Sequence, residues 1–340
     1  MRLLLFTQAL DKNDPTLSAY HRLVREIAQN FDEVTAVCLK EGEHSLPLNV
    51  KVLSLGKEGG RSRLKYLFRF YKYILAERYD AVFVHMNQEY VLLGGWLWKL
   101  LGKRVYMWRN HHAGSWLTDL AAALCAKVFC TSRYSYTAKY RKTVIMPVGI
   151  DTEFFKRHPK ADPLPGSILF LARMGPVKKP DVLVKALKAL AVKGVEFEAN
   201  FVGDALPGDQ AYYDRVKREG EDVPGVSFHP GIPNDQCPYA FSSHEVFVNL
   251  SSSGMYDKTI FEAMACESMV LATNKNLEDL VDPWFIARED DVEDIAAKLE
   301  ALLKVSPEDR ALFGRDLRQV TVKHHSLKAL GQKLAREIAS

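Results

Sequence analysis

Short runs of β-branched and aromatic residues recur along this chain with room for one helix or turn between them, and that rhythm fixes an alternating α/β architecture before any motif is read. The first series is RLLLFTQ (2–8), VTAVCL (34–39), VKVLSL (50–55), AVFVHM (81–86), RVYMWR (104–109), KVFCTS (127–132) and TVIMPV (143–148). The rhythm then restarts with SILFLAR (167–173), a helix over 180–192, FEANFVG (197–203), a helix over about 210–219, VSFHP (226–230), EVFVNL (245–250), a short helix and MVLAT (269–273). A doubly wound sheet built twice follows: an α/β chain with one Rossmann-like domain over 1–150 and a second over 151–322. The boundary falls in 149–165, where GIDTEFFKRHPKADPLP has three prolines and no period. A last helix over about 326–338 carries Leu327, Leu330, Leu334 and Ile338 on one stripe. It needs a surface to cover, and segment 323–340 is expected to pack back toward the N-terminal domain.

The 340 residues, 47% of them hydrophobic, suffice for two cores. No apolar run is long enough to span a bilayer; the nearest, YVLLGGWLWKLL (90–101), contains Lys99 and a Gly pair. MRLLLFTQAL reads as a first strand and not a cleavable signal, so the expected location is cytoplasmic. Five cysteines, at 38, 125, 130, 237 and 266, are odd in number and have no CxxC spacing, which speaks against a disulfide framework and a zinc site. Buried thiols in a reducing compartment are expected. Neither adjacent His pair, 111–112 or 324–325, suits one metal, and no metal site is assigned.

The net charge of +4 conceals an asymmetry: residues 1–150 hold 22 Lys+Arg against 12 Asp+Glu, and residues 151–340 hold 24 against 30. Much of the N-terminal excess lies in RSRLKYLFRFYKYILAERY (61–79). On a helix this places Leu64, Leu67, Phe68, Tyr71 and Ile74 or Leu75 on one stripe, flanked by Arg63, Lys65, Arg69 and Lys72. One reading is a surface helix whose apolar stripe packs on the sheet; the other is a face for anionic lipid or an anionic acceptor. Both can hold together. Nucleic acid is not expected as a partner, because no base-reading module is present.

Residues 246–273, VFVNLSSSGMYDKTIFEAMACESMVLAT, read as strand, small-residue loop, helix and strand. Small side chains over 251–254 let backbone N–H groups approach a ligand, and Asp257 caps a helix starting at Lys258 or Thr259. An anion fits at such a helix mouth. Glu262, three residues beyond Thr259, shares its helical face and is placed to accept hydrogen bonds from a ribose.

Together with the two Rossmann-like domains, four segments in order, MPVGIDTEFF (146–155), LARMGPVKKPDVLVKAL (171–187), FVGD (201–204) and IFEAMAC (260–266), resemble the family 4 retaining glycosyltransferases of the GT-B fold. The resemblance runs along the whole chain and is strongest over 146–273. It implies two domains facing each other across a cleft, and a nucleotide diphosphate sugar as donor co-substrate with no further cofactor. It also implies hexose transfer with retention by front-face attack, and a glycan, lipid-linked or small-molecule acceptor. No carboxylate pair of the DxD type follows a strand, so no metal-dependent GT-A chemistry is expected.

Physical reasoning supports the second segment independently. Arg173 ends a strand and Lys178 precedes a helix opened by Pro180 and Asp181, so both cations can reach the C-terminal edge of the sheet. Charge that builds on a departing diphosphate is stabilised there by a fixed guanidinium and ammonium. Lys179, where the family usually has Gly, is either a surface residue or a second phosphate contact. The resemblance makes Glu262 the second Glu of the family's E-x7-E pattern. The first Glu, which usually approaches the donor sugar, is replaced here by Gly254. Lys258 and the Thr259 N–H and hydroxyl are assigned to the diphosphate or sugar, Gly203 to the donor side, and Asp257 either to sugar hydroxyls or to capping alone.

In the N-terminal half the first loop, TQALDKNDPTLSAY (7–20), has no Gly, but Asp14 and Pro15 suit an N-cap and first turn, and Asp14 and Thr16 are acceptor-side candidates. His85 and His111 are expected at strand ends on the cleft side, His85 as a further acceptor-side candidate, and the resemblance puts a His near the donor sugar at about 111, which makes His111 a catalytic candidate beside Arg173 and Lys178. Arg109 is a candidate for an acidic acceptor group. Three rivals remain: a non-catalytic nucleotide-sugar binder, favoured by Gly254; a GT-B nucleotide-sugar epimerase; and a nicotinamide dehydrogenase, against which this chain has no GxGxxG after its first strand.

Overall fold

The computed structural model describes residues 1–14, 17–60, 62–254 and 256–340. Two compact units account for them: Met1–Gly149 with Leu327–Ser340, and Ile150–Ser326.

The first unit runs β1 (Arg2–Leu10), α1 (Ser18–Ala28), β2 (Glu33–Glu41), β3 (Val50–Ser54), α2 (Arg63–Ala76), β4 (Ala81–His85), α3 (Gln88–Leu100), β5 (Arg104–Trp108), α4 (Trp116–Leu124), β6 (Lys127–Cys130) and β7 (Thr143–Ile145). Its strands form one parallel sheet in the order β3-β2-β1-β4-β5-β6-β7. β1 is apolar at successive positions because both faces of a parallel sheet are covered. Leu3 and Leu5 join one core with α1, while Leu4 and Phe6 join another with α2, α3 and α4.

The second unit runs β8 (Leu164–Leu171), α5 (Pro180–Val192), β9 (Glu198–Val202), α6 (Gln210–Glu221), β10 (Val226–His229), α7 (Cys237–Ser242), β11 (His244–Asn249), α8 (Lys258–Ala265), β12 (Met269–Ala272), α9 (Val292–Leu303) and α10 (Pro307–Val320). Its parallel sheet has the order β10-β9-β8-β11-β12. In each unit strand order reverses beside the first strand, between β1 and β4 and between β8 and β11. The crevice beyond the carboxyl ends of such a strand pair is where doubly wound sheets take ligands.

The last helix, α11 (Leu327–Ala339), packs within the first unit. Leu327, Leu330, Leu334 and Ile338 enter the core beside α1, and Tyr106 Oη donates to the Ile338 carbonyl (2.9 Å). Four buried side chains at roughly 1.5–3 kcal/mol each hold the segment there.

Three expectations change. The basic helix is shorter than 61–79, with Arg61 outside the described residues, and it buries Phe70 and Ile74 and leaves Leu64, Phe68 and Leu75 exposed. Its sequence is apolar on two stripes, so periodicity alone selects the wrong one. The helix after β1 starts at Ser18 with Leu17 at the cap position, and Asp14 instead accepts from the Leu17 N–H (2.8 Å); Pro15 lies outside the described residues. Finally, α10 was not anticipated. Its cap is Ser306, which accepts from Asp309 N, with Pro307 at the first position, and this start signal was overlooked.

Candidate functional site

The carboxyl ends of β8 and β11 carry most of the chemistry. β11 runs through the buried Val246, Phe247 and Val248 to its last residue, Asn249, which is buried at the start of the loop. Its side-chain amide donates to Asp257 (3.0 Å) and to Thr259 Oγ1 (3.1 Å), while its side-chain oxygen accepts from Ser251 N (3.0 Å). Asn249 thus folds the loop back onto the start of α8. Asp257 caps that helix and accepts from Thr259 N (3.4 Å), as its sequence position implies.

Lys178 comes to the same point from a distant part of the chain. It closes a 3₁₀ turn, Pro176–Lys178, after β8, and its Nζ pairs with the Asp257 carboxylate and donates to Ser251 Oγ (3.2 Å). Ser251 Oγ also donates to Asp257 (3.1 Å). Burial by itself pushes the Asp257 carboxyl up; the Lys178 charge and the bonds from Asn249 and Ser251 outweigh it and leave Asp257 below the usual carboxylate range. Asp257 is therefore ionised at neutral pH. An ammonium has three N–H donors, and among the described residues Asp257 and Ser251 engage two of them. Water reaches Lys178, whose side chain is 21% exposed.

The Lys178 cation, expected at the carboxyl edge of the sheet, is held there by a carboxylate. The Thr259 N–H assigned to the diphosphate already donates to Asp257, and the Thr259 hydroxyl accepts from Asn249. Arg173 lies two residues beyond β8, exposed, and its guanidinium has no hydrogen bond or ion pair among the described residues. Lys258 is exposed on the first turn of α8, and Glu262 stands one turn further on, half-buried. Gly254 lies in the loop, and Met255 is outside the described residues.

Lys179 is not a solvated surface residue, since its side chain is 17% exposed and paired with two carboxylates. Its Nζ pairs with Glu289 (2.8 Å) and Asp290 (2.8 Å), and Ser252 Oγ also donates to Glu289 (2.7 Å). Burial would lower the Lys179 pKa, but its bonds to Asp290 and Glu289 raise it above the lysine range. Its backbone is left-handed (φ 56°), which costs a side-chain-bearing residue about 1 kcal/mol and explains why Gly suits that position in the resembled family. The ion pairs tie the turn that leads into α5 to the 251–254 loop through Glu289.

Gly203 follows β9 with φ 151°, and a Cβ there would lie 1.8 Å from the Ala172 carbonyl oxygen. Close packing against the end of β8 explains this glycine without any ligand.

In the first unit the candidates divide. His85 ends β4 but is buried (6% exposed), ringed by Tyr20 (4.9 Å), Trp108 (6.0 Å) and Phe83 (6.2 Å). It packs as a core histidine. His111 is not at a strand end; β5 stops at Trp108, and His111 lies in the loop beyond, its Nδ1 2.9 Å from Ala113 N and its ring stacked on His112 (4.5 Å). Arg109 donates from Nη2 to the Ala113 carbonyl (3.1 Å), which ties down the same loop. Asp14 is part of the loop after β1, and Thr16 lies outside the described residues.

Sequence reasoning missed Asn249, Ser251 and Glu289. An Asn directly after the apolar run Val246–Val248 is the available signal for the first; nothing local points to Glu289. All five cysteines are free and buried, with burial pushing the Cys38, Cys125 and Cys237 thiols up to about 12. Among the described residues no group of three or more His, Cys, Asp or Glu is placed to hold a metal ion. No helix among them is long and apolar enough to cross a membrane.

Residues 165–305, the β8–α9 part of the second unit, match the family model described as "Glycosyl transferases group 1". No curated protein matches the chain in sequence. Among solved structures, HepE of Anabaena in complex with UDP is similar over 100% of this chain and 100% of its own (17% identity, TM-score 0.77). Sucrose-phosphate synthase of Thermosynechococcus elongatus is similar over 99% of this chain and 98% of its own (16% identity, TM-score 0.77). A glycosyltransferase of Rickettsia africae is similar over 100% and 98% (15% identity, TM-score 0.73). The likeness to these structures establishes the fold, two parallel-sheet α/β units of the GT-B kind. The matched domain supports a glycosyltransferase, and the fold that carries it is of the GT-B kind.

Proposed function

We propose that this chain transfers a hexose-type sugar from a nucleotide diphosphate sugar, with retention at the anomeric carbon as in the family 4 enzymes it resembles, and that the donor diphosphate binds beyond β8 and β11. The observation that carries the reading is Lys178, brought 79 residues along the chain to the mouth of α8 and held there by Asp257 and Ser251. An ion pair at a ligand-binding crevice gives a fixed cation at no reorganisation cost when charge develops. Asp257 and Ser251 aim Lys178, and its remaining N–H serves a β-phosphate oxygen. Arg173 and Lys258, both exposed, add attraction for the diphosphate. Glu262, one turn into α8, accepts from the ribose hydroxyls. HepE crystallised with UDP and, separately, with UDP-glucose supports a uridine donor as the first to try.

In the reaction the bond between the anomeric carbon and the diphosphate oxygen breaks and the diphosphate leaves with the electron pair. The acceptor hydroxyl attacks the face it vacates, and its proton passes to the leaving phosphate oxygen. Lys178 and Arg173 stabilise the charge that grows on that oxygen. The acceptor is a glycan, a lipid-linked or a small-molecule hydroxyl, with Arg109, in the loop after β5, as a candidate contact.

Gly254 favours one second reading, a binder of nucleotide sugars without turnover, since the carboxylate the family carries there is absent. A thermal-shift panel of UDP, GDP, ADP and CMP sugars, followed by product analysis, tests both. A ligand at 100 times its Kd adds about 2.7 kcal/mol of stability. A shift with sugar release supports transfer, a shift without any turnover supports the binder, and no shift from any nucleotide sugar overturns both.

A further inference from the structure

We propose that the outer face of α2, α3 and α4 docks this protein on an anionic bilayer. The inference is independent of the sugar-transfer reading, since it rests on the first unit alone. These helices cover one side of the seven-stranded sheet, and their inner residues, such as Phe70, Val91 and Ala121, are buried in its core. A covering helix ordinarily turns polar residues outward. Here the outward residues are large and apolar: Leu64 (77% exposed), Phe68 (72%) and Leu75 (64%) on α2, Trp96 (60%) and Leu100 (85%) on α3, and Trp116 (71%) on α4.

The stripes are neighbours. Tyr71 Oη on α2 donates to the Leu93 carbonyl on α3 (3.0 Å), the Phe70 and Trp98 rings meet at 5.9 Å, and α3 packs on α4. Apolar side chains on three adjacent helices make a patch of the kind that marks an interaction surface.

Charge identifies the occupant. Helices α2, α3 and α4 carry Arg63, Lys65, Arg69, Lys72 and Lys99 against two acids, Glu89 and Asp119, and Asp119 is paired with Lys139 (2.8 Å). Lys72 shares a shallow groove with Phe68, Tyr71 and Leu75, and Lys99 stands 5.9 Å from the Trp96 ring. Ammonium groups beside exposed rings match a headgroup layer, where Trp sits at the interface while lysine stems lie on apolar surface and their heads reach phosphates. A two-fold pairing of this face with a second copy would set the cationic rims against each other. With no helix able to cross a bilayer among the described residues, the contact is peripheral.

The test is co-sedimentation of the full chain with phosphatidylcholine vesicles and with vesicles of phosphatidylcholine and phosphatidylglycerol in equal parts, at low and high salt. Binding is expected to the anionic vesicles, weakened by salt, with tryptophan fluorescence quenched by brominated lipid. Trp96→Ser with Trp116→Ser should weaken partitioning at least about tenfold. Arg63→Gln, Lys65→Gln and Lys72→Gln together should weaken it about 100-fold. Both variants change exposed residues and should keep the wild-type melting temperature. Absence of binding to anionic vesicles, indifference to lipid charge, or wild-type binding by the tryptophan variant would each overturn the proposal. A dimer that W96S/W116S dissociates, without vesicle binding, would assign the face to a second copy and overturn it too.

Discussion

Removing Lys178 should do two separable things, and a second substitution at Asp257 pulls them apart. In Lys178→Ala the Asp257 carboxylate stays at the mouth of α8 with its cation gone. Breaking a fully buried pair costs about 3–5 kcal/mol, but these side chains are 21% and 14% exposed, so water offsets part of the loss and about 2 kcal/mol is expected. In a domain of this size that lowers the melting temperature by about 4–8 °C. Without Lys178 the Asp257 carboxyl loses the largest influence that holds it down against burial, so its pKa rises relative to wild type. The variant's deficit is accordingly small at acid pH and grows as pH rises. Turnover should fall about 100-fold, or about 2.7 kcal/mol of barrier. Adding Asp257→Asn removes the stranded charge and keeps a good N-cap, so stability should return to within about 1 kcal/mol of wild type. Turnover should not return. Thermal melts and donor turnover on the four proteins of this cycle give both quantities. If the double variant regained wild-type activity, Lys178 would serve only to neutralise Asp257, and its role toward the diphosphate would be refuted.

Arg173→Ala should leave the melting temperature unchanged, because the guanidinium has no partner among the described residues, and lower turnover about 100-fold; wild-type rates would remove it from the site. Glu262→Ala should weaken nucleotide affinity more than turnover, which titration calorimetry would show; unchanged affinity contradicts a ribose role. Gly203→Ala forces a Cβ to 1.8 Å from the Ala172 carbonyl oxygen and should cost more than about 2 kcal/mol in a denaturant melt; a neutral outcome would mean the β8–β9 contact yields easily. His325 is packed on Phe261 (4.3 Å), and burial, helped by the His324 charge, lowers its pKa from 6.5 to about 4. The unfolded chain therefore takes up a proton before the folded one does. The His325 contribution is whole above pH 6.5 and is lost as pH falls toward 4, up to roughly 3 kcal/mol. In His325→Gln that part of the slope should vanish; an identical pH profile counts against it.

What could be read from the sequence was what neighbours in the chain determine. Asp257 capping a helix at Lys258, the span 180–192 of α5 and the strand cores all follow from local pattern, and the structure has them there. The Lys178–Asp257 pair joins residues 79 apart, and Lys179–Glu289 residues 110 apart, so no spacing rule reaches them. Their consequence is substantive: the helix mouth that looked open to an anion already holds a carboxylate and its counter-cation. In α2 the failure was one of degeneracy. RLKYLFRFYKYILA has apolar residues on both sides of the helix, and only contact with the sheet selects Phe70 and Ile74 for the core. His85 and His111 were paired by residue type, whereas the fold buries one among aromatic rings and sets the other in a loop.

The central claim is that a diphosphate binds beyond β8 and β11, beside Lys178. A crystal structure of the protein with UDP tests it most directly. The account predicts the β-phosphate within hydrogen-bond distance of Lys178 Nζ, with Arg173 turned toward it and the ribose against Glu262. A nucleotide bound in order elsewhere, with the Lys178–Asp257 pair untouched by any phosphate, would contradict it.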